Sequence, residues 1–353
     1  MLNSISNNPF FKKSSLHKIF ELNPLVFCDV GARGGIHDLV LPLASHTSVV
    51  GFEPSNAECE LIILRHLNDG TFFDLEVLAT GLYSEDCDAV LYHAEASTNT
   101  SLYPVSSHYA DRYKLTKWKT VCTEQICVRS IDNITQESRL LKSGIDLIKI
   151  DTQGSEYEIL KGASNQLKKS VLAAVVEVSF FEIYDKQRTF EEIVSLMKLY
   201  GMSFYGFSAL HTRSRKQIDK SKCLTRERYM QADAVFIRDP LEPNTHFDDP
   251  IALGKLIIIA ILLEYYDLAL EIVQLYNDLT DLEALQSLEA IVVSQATKEL
   301  QVSVDEIRKA HDDIALNPTM ANLVVGTLVD KYRLYNDFKD VNGISSLPST
   351  YQE

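Results

Sequence analysis

The chain is short of positive charge, of paired cysteines and of long apolar runs, and each shortage narrows what it can do. Against 49 aspartates and glutamates stand 34 lysines and arginines in 353 residues, a formal net charge of −15. So acidic a surface disfavours binding along a phosphate backbone, and no nucleic-acid partner is expected. The six cysteines, at 28, 59, 87, 122, 127 and 223, include no Cys-x-x-Cys pair and no histidine at zinc spacing. They are expected to be reduced and mostly buried, with no metal bound through them. The first twenty residues, with Asn3, Ser4, Ser6, Asn7, Asn8, Lys12 and Lys13, lack the apolar centre of a secretory signal, which predicts a cytoplasmic protein. The most apolar stretch, 251–263, carries Lys255 and runs straight into Glu264. It is shorter than the roughly 20 residues of a membrane span, so no transmembrane segment is expected and this stretch is expected to be a core helix.

What is present is an alternation of short apolar runs and amphipathic stretches. Runs at 25–30 and 47–52 flank an amphipathic segment, a helix is expected at 56–67, and apolar alternation returns at 72–82. Further runs at 145–150 and 171–178 enclose a helix at 155–162, and a helix at 189–200 precedes strands at 203–208 and 232–237. This rhythm predicts an α/β fold with a mostly parallel sheet and helices on both faces. Between 84 and 140 it breaks into short strands at 90–93 and 125–128 around a polar, aromatic-bearing loop. Beyond Asp239-Pro240 and Glu242-Pro243-Asn244 helical periodicity takes over, with segments at 251–276, 281–298, 303–315 and 319–336. The expected organisation is a helical extension at 1–24, an α/β domain at 25–240 containing an irregular insert at 84–140, an all-α domain at 248–340, and a flexible tail at 341–353.

Three motifs carry chemistry. The first is Asp29-Val30-Gly31-Ala32-Arg33-Gly34-Gly35, a strand running into a glycine turn, the position at which an α/β sheet binds a nucleotide-like ligand. A dinucleotide fingerprint would place glycines at 31, 33 and 36, but 33 and 36 are Arg and Ile. S-adenosylmethionine, with no pyrophosphate and a zwitterionic end, suits the loop better, with Asp29 facing its ammonium and sulfonium. The plain alternative is a tight turn that only joins strand to helix. The second motif is Gly51-Phe52-Glu53-Pro54: Glu53 lies 22 residues after Gly31, near the ~20-residue spacing at which a carboxylate accepts from ribose hydroxyls. Alone, such a residue is more often solvated surface. The third is Ile148-Lys149-Ile150-Asp151-Thr152-Gln153-Gly154-Ser155-Glu156, a strand ending in a carboxylate and a turn that opens a helix. Asp151 is positioned either to hydrogen-bond the cofactor or substrate or to accept a hydroxyl proton as a general base. Glu156 can equally serve the helix dipole, and Lys149 can pair with a neighbouring acid. Glu177, late in an apolar strand, is either at a pocket rim or paired with a donor. His93 and Asn99 of the insert are candidates for substrate contacts.

These motifs together resemble the FkbM family of S-adenosylmethionine-dependent methyltransferases, and the resemblance extends through Val176-Glu177-Val178 over approximately 25–238. It implies a class I methyltransferase, Rossmann-like sheet and methylation of a hydroxyl on a sugar, glycan or related metabolite. By the resemblance, Asp29, Gly31, Ala32, Gly35 and Glu53 would hold the cofactor, and Leu82 and Tyr83 would flank its adenine. The catalytic carboxylate would be Asp151, with Glu177 or Glu156 as substitutes. Many members carry Asn at the place of Arg33 and Glu at that of Gln153, so neither receives a catalytic role. Clustered carboxylates leave a divalent metal open. The helical region lies outside the resemblance; it could join two copies or bind a partner enzyme. The competing reading is a non-catalytic scaffold that retains the fold.

Overall fold

Short apolar runs bounded by turn residues fold as strands buried on both faces, and this dictates the architecture. The computed structural model describes residues 2–215, 217, 218, 226–243, 247, 249–279 and 285–332. Two short helices, α1 (Pro9–Lys13) and α2 (Ser15–Leu22), precede β1 (Leu25–Val30). Then come β2 (Thr47–Phe52), α3 (Asn56–Asp69), β3 (Asp74–Leu78), β4 (Gly81–Leu82), β5 (Cys87–Ala94), α4 (Ser107–Tyr113) and β6 (Thr120–Arg129). The chain continues through α5 (Ile131–Glu137), β7 (Leu147–Ile150), α6 (Glu156–Gly162), α7 (Ser164–Lys169), β8 (Ala173–Ser179), α8 (Phe190–Leu199), β9 (Ser203–Arg213) and β10 (Arg228–Ile237). Helices α9 (Pro250–Leu262), α10 (Tyr266–Leu279), α11 (Leu285–Leu316) and α12 (Ala321–Tyr332) follow.

Seven strands form the main sheet in the order β3-β2-β1-β7-β8-β10-β9. The pairs from β3 to β8 are parallel, and β10 runs antiparallel to both β8 and β9. A separate sheet, β4-β6-β5, is built from the insert and the strand that leads into it. Because successive strand residues point to opposite faces, the main sheet has two cores. Cys28, Val30, Ile148, Ile150 and Val176 pack with Leu160, Ile193 and Met197 from the helices between β7 and β9. Leu25, Phe27, Leu147 and Val175 pack on the other face with Phe11, Phe20, Ile257, Ile272 and Ile291.

Helix α9 is the segment expected to be a core helix. Asp249 caps it, Pro250 occupies its first turn, and every residue from 253 to 262 is buried. Its one charge is matched: Lys255 Nζ lies 2.6 Å from Asp146 Oδ2, which also accepts from the Val26 amide at 2.8 Å. By internal contacts the chain divides into two compact units, Met1–Gln217 with Glu227–Gln301, and Ile218–Arg226 with Val302–Glu353. The expected boundary near 240 therefore falls inside the first unit; α9 and α10 share a core with the sheet. The second unit contains α12.

Other differences have local causes. The segment between β1 and β2 is a 3-10 helix, Asp38–His46, with Pro42 inside it; proline removes the amide that α-helical bonding requires. The segment expected at 251–276 breaks after α9 at Glu264, whose φ of +65° is left-handed. Segments 281–298 and 303–315 join in α11. Of the described cysteines only Cys28 and Cys59 are buried, whereas Cys87, Cys122 and Cys127 are exposed on the smaller sheet. Cys223, residues 281–284 and the tail at 341–353 lie outside the described residues. Among the described residues no helix is long and apolar enough to cross a membrane.

Ile258→Ala tests whether α9 belongs to the sheet's core. Truncating a fully buried isoleucine should remove about 2–5 kcal/mol of stability, measured by urea denaturation with a probe on the sheet. An unchanged midpoint for that probe would contradict the shared core.

Candidate active site

The ends of three neighbouring strands are tied together by backbone groups. The Gly31 and Ala32 amides both donate to Phe52 O at 3.0 Å, joining the end of β1 to that of β2, and the Asp151 amide donates to Val30 O at 3.0 Å, joining β7 to β1. Gly31 has a φ of +92°, and a Cβ there would lie 2.0 Å from the Asp151 carbonyl oxygen. Only glycine permits both the turn and the approach. The result is a cavity of about 290 Å³ at the carboxyl ends of the strands, lined among others by Gly31, Arg33, Glu53, Leu82, Asn99, Asp151 and Gln153.

Glu53 is 3% exposed, and its Oε1 accepts from the Ser55 amide at 2.9 Å and from Arg33 at 3.2 Å. Arg33 also reaches the Ser97 carbonyl of the insert at 3.4 Å. The Asp151 side chain is 41% exposed and approaches Lys149 Nζ at 3.7 Å. Gln153 Nε2 donates to Asp151 Oδ1 and to Glu177 Oε2, each at 3.0 Å, while Tyr184 donates to Gln153 Oε1 at 2.9 Å. The amide therefore bridges two carboxylates, and the phenol sets which way round it lies.

Behind the cavity the acids share one ammonium. Lys149 is 2% exposed and lies 3.0 Å from Asp233 Oδ1. Burial works against its charge, but Asp151 and Asp233 outweigh it and hold its pKa above the ordinary lysine value. Glu177 does not line the cavity; burial, then the charges of Asp151 and Glu156, push its pKa well up. Glu156 turns back into its own loop, accepting from the Thr152 amide at 2.9 Å and the Gly154 amide at 2.9 Å, and burial raises its pKa. Asp29 is 3% exposed and its Oδ2 accepts from the His37 amide at 2.8 Å. Burial pushes its pKa up to about 6, against the His37 bond and the Lys149 charge.

The cavity thus brings together Gly31, Glu53, Leu82, Asn99 and Asp151 from the sequence candidates, but not Asp29, Ala32, Gly35 or Tyr83. Tyr83 instead meets Tyr103 at 3.0 Å. His93 is paired with Glu124 at 2.9 Å on the smaller sheet, outside the lining. Tyr184 escaped sequence reasoning altogether, since nothing local marks a tyrosine whose partner is 31 residues away. Among the described residues no group of three or more His, Cys, Asp or Glu is arranged to hold a metal ion.

Glycine-bent strand ends beside a cleft are the position at which α/β sheets receive ligands. The family model described as Methyltransferase FkbM domain matches residues 29–207, half of the chain, and the chain belongs to this family. Its sheet is the mostly parallel class I methyltransferase sheet that the resemblance implied. Among solved structures, the methyltransferase FkbM from Methylobacillus flagellatus KT matches with 13% identity and a TM-score of 0.35, over 61% of this chain and 43% of that one. The present chain thus spans less than half of that structure's length. The magnesium protoporphyrin IX methyltransferase from Synechocystis PCC 6803 with bound SAM matches with 13% identity and a TM-score of 0.32, over 63% of this chain and 74% of that one. No curated protein matches the chain.

Two predictions follow from the geometry. Gly31→Ala should lower stability by about 2 kcal/mol or more, because it forces both the positive φ and the clash; a melting temperature equal to wild type would contradict the packing. Asp29 in an unfolded chain loses its proton near pH 3.9 but in the fold near pH 6. Its contribution is therefore complete below about pH 4 and is lost as pH rises to about 6. Asp29→Asn should match wild type near pH 4 and exceed it above pH 7 by on the order of 2–3 kcal/mol. Paired denaturation curves at the two pH values check this, and a variant less stable at both would refute the assignment.

Proposed function

We propose that the protein is an S-adenosylmethionine-dependent O-methyltransferase acting on a hydroxyl of a sugar, glycan or related metabolite. The observation that carries the reading is that Gly31, Glu53 and Asp151, from three separate strand ends, line one cavity. Its residues suit this cofactor: the lining has two carboxylates and a single cation, Arg33, already engaged with Glu53. That charge balance favours a ligand bearing sulfonium and ammonium. Glu53 would accept from the ribose hydroxyls, the Gly31 turn would receive the amino-acid end, and Leu82 would lie against the adenine. When bound, the cofactor supplies an electrophilic methyl for in-line transfer to oxygen.

The chain's own work is then alignment and proton removal. Asp151 is the base of choice, because it alone of the three candidate carboxylates lines the cavity. It would take the hydroxyl proton as the methyl passes from the sulfonium sulfur, which leaves as the thioether, to the oxygen. Gln153 fixes the Asp151 Oδ1, Lys149 lies 3.7 Å from its Oδ2, and the side chain is exposed enough for a substrate hydroxyl to reach it. Glu156, held by two backbone amides, positions the loop that carries Asp151. Asn99 and the neighbouring insert hydroxyls supply polar contacts of the kind a sugar acceptor uses. His93 could contact only a larger acceptor that extends to the smaller sheet.

Calorimetric titration with S-adenosylmethionine tests the cofactor, and Glu53→Ala should weaken its binding about tenfold or more through loss of charge-assisted hydrogen bonds. Asp151→Asn should keep cofactor affinity within a few-fold while lowering methyl transfer to a panel of glycans and nucleotide sugars by about 10²–10⁴. No heat with wild type would return the scaffold reading to first place, and full activity in Asp151→Asn would remove it as the base.

A further inference from the structure

At the opposite end of the sheet, beside the starts of β1, β2 and β8, lies a second cavity of about 670 Å³, within the roughly 300–1,000 Å³ of small-molecule pockets. It shares no lining residue with the cleft, and along β1 their nearest lining residues, Val26 and Val30, are four positions, roughly 13 Å, apart. In a chain of net charge −15 its lining is cationic: Arg139, Lys168, Lys169, Arg238 and Lys255 against Asp146 and Asp249. Lys255 is matched by Asp146 at 2.6 Å and Arg139 by Asp74 at 2.8 Å. Lys168, Lys169 and Arg238 make no ion pair among the described residues.

Arg238 is the informative one. It is half-buried, and among the described residues its guanidinium donates only to carbonyls, those of Val171 and Leu167. Burial lowers its pKa with no acid to offset the effect. A partly desolvated cation facing only dipoles is costly unless an anion completes its shell. The same cavity has apolar lining that stays open: Leu22 is 81% exposed and Ile251 41% exposed, and Leu140 also lines it.

We propose that this cavity binds an anionic amphiphile, with a phosphate headgroup at Lys168, Lys169 and Arg238 and a hydrocarbon portion against Leu22, Leu140 and Ile251. Charge complementarity selects the headgroup, and the exposed aliphatic rim selects the chain over a free ion. The site is independent of methyl transfer, so its failure leaves that reading untouched.

The full chain is titrated by calorimetry with decyl phosphate below its micelle concentration, with inorganic phosphate, and with the neutral decyl maltoside. Decyl phosphate should bind at least about tenfold more tightly than inorganic phosphate, and decyl maltoside should give no saturable heat. Lys168→Glu with Lys169→Glu, two exposed positions, should weaken decyl phosphate about tenfold or more. The milder Lys168→Gln with Lys169→Gln should weaken it in the same direction and serves if the first pair disturbs folding. Equal affinity for inorganic phosphate, equal affinity for the neutral detergent, or unchanged binding by both variants would overturn the proposal. So would no binding at all, which would mean that the cations only neutralise the carboxyl end of α7.

Discussion

One buried ammonium governs the strand ends of this protein. Lys149 stands in register with Asp29 on β1, within 3.0 Å of Asp233 and 3.7 Å of Asp151. Asp29, Asp151, Glu177 and Asp233 come from four different strands or their ends, and without a cation among them their mutual repulsion would oppose closing the sheet. Removing the cation from such a set is far worse than never having had it. Of these acids only Asp151 reaches the cavity.

From that constraint the rest of the site follows by short links. The Asp151 carbonyl sits against Gly31, the Gly31 amide is bonded to Phe52, and Phe52 leads directly into Glu53. Arg33 then connects Glu53 to the Ser97 carbonyl of the insert. The glycine loop and the insert are thus joined through one guanidinium, whose several donors serve both. Gln153 and Tyr184 do for Asp151 what Arg33 does for Glu53, restricting a carboxylate to one orientation.

Much of this was legible in the sequence because strands buried on both faces leave uninterrupted apolar runs. The runs at 25–30 and 47–52 became β1 and β2 residue for residue. The carboxylates at the ends of β2 and β7 were found the same way. Side-chain direction was harder. Asp29 precedes Val30, and a single residue along a strand reverses the face; Val30 lines the cavity whereas Asp29 meets the His37 amide. Glu156 has the spacing of an exposed first-turn acid, yet the positive φ of Gln153 and Gly154 brings their amide-bearing turn onto it. The apolar helix α9 was recognisable as core, but its core is the sheet's own, because the burial of ten consecutive residues requires neighbours on every side. Periodicity reports that a face is buried and is silent about what buries it.

The most direct measurement of the central claim is a crystal structure with S-adenosylhomocysteine bound. The account predicts the ribose against Glu53, the amino-acid end at the Gly31 turn, and the sulfur on the side of the cavity where Asp151 opens. Density for the ligand elsewhere, with the Glu53 and Asp151 carboxylates facing only protein, would contradict it.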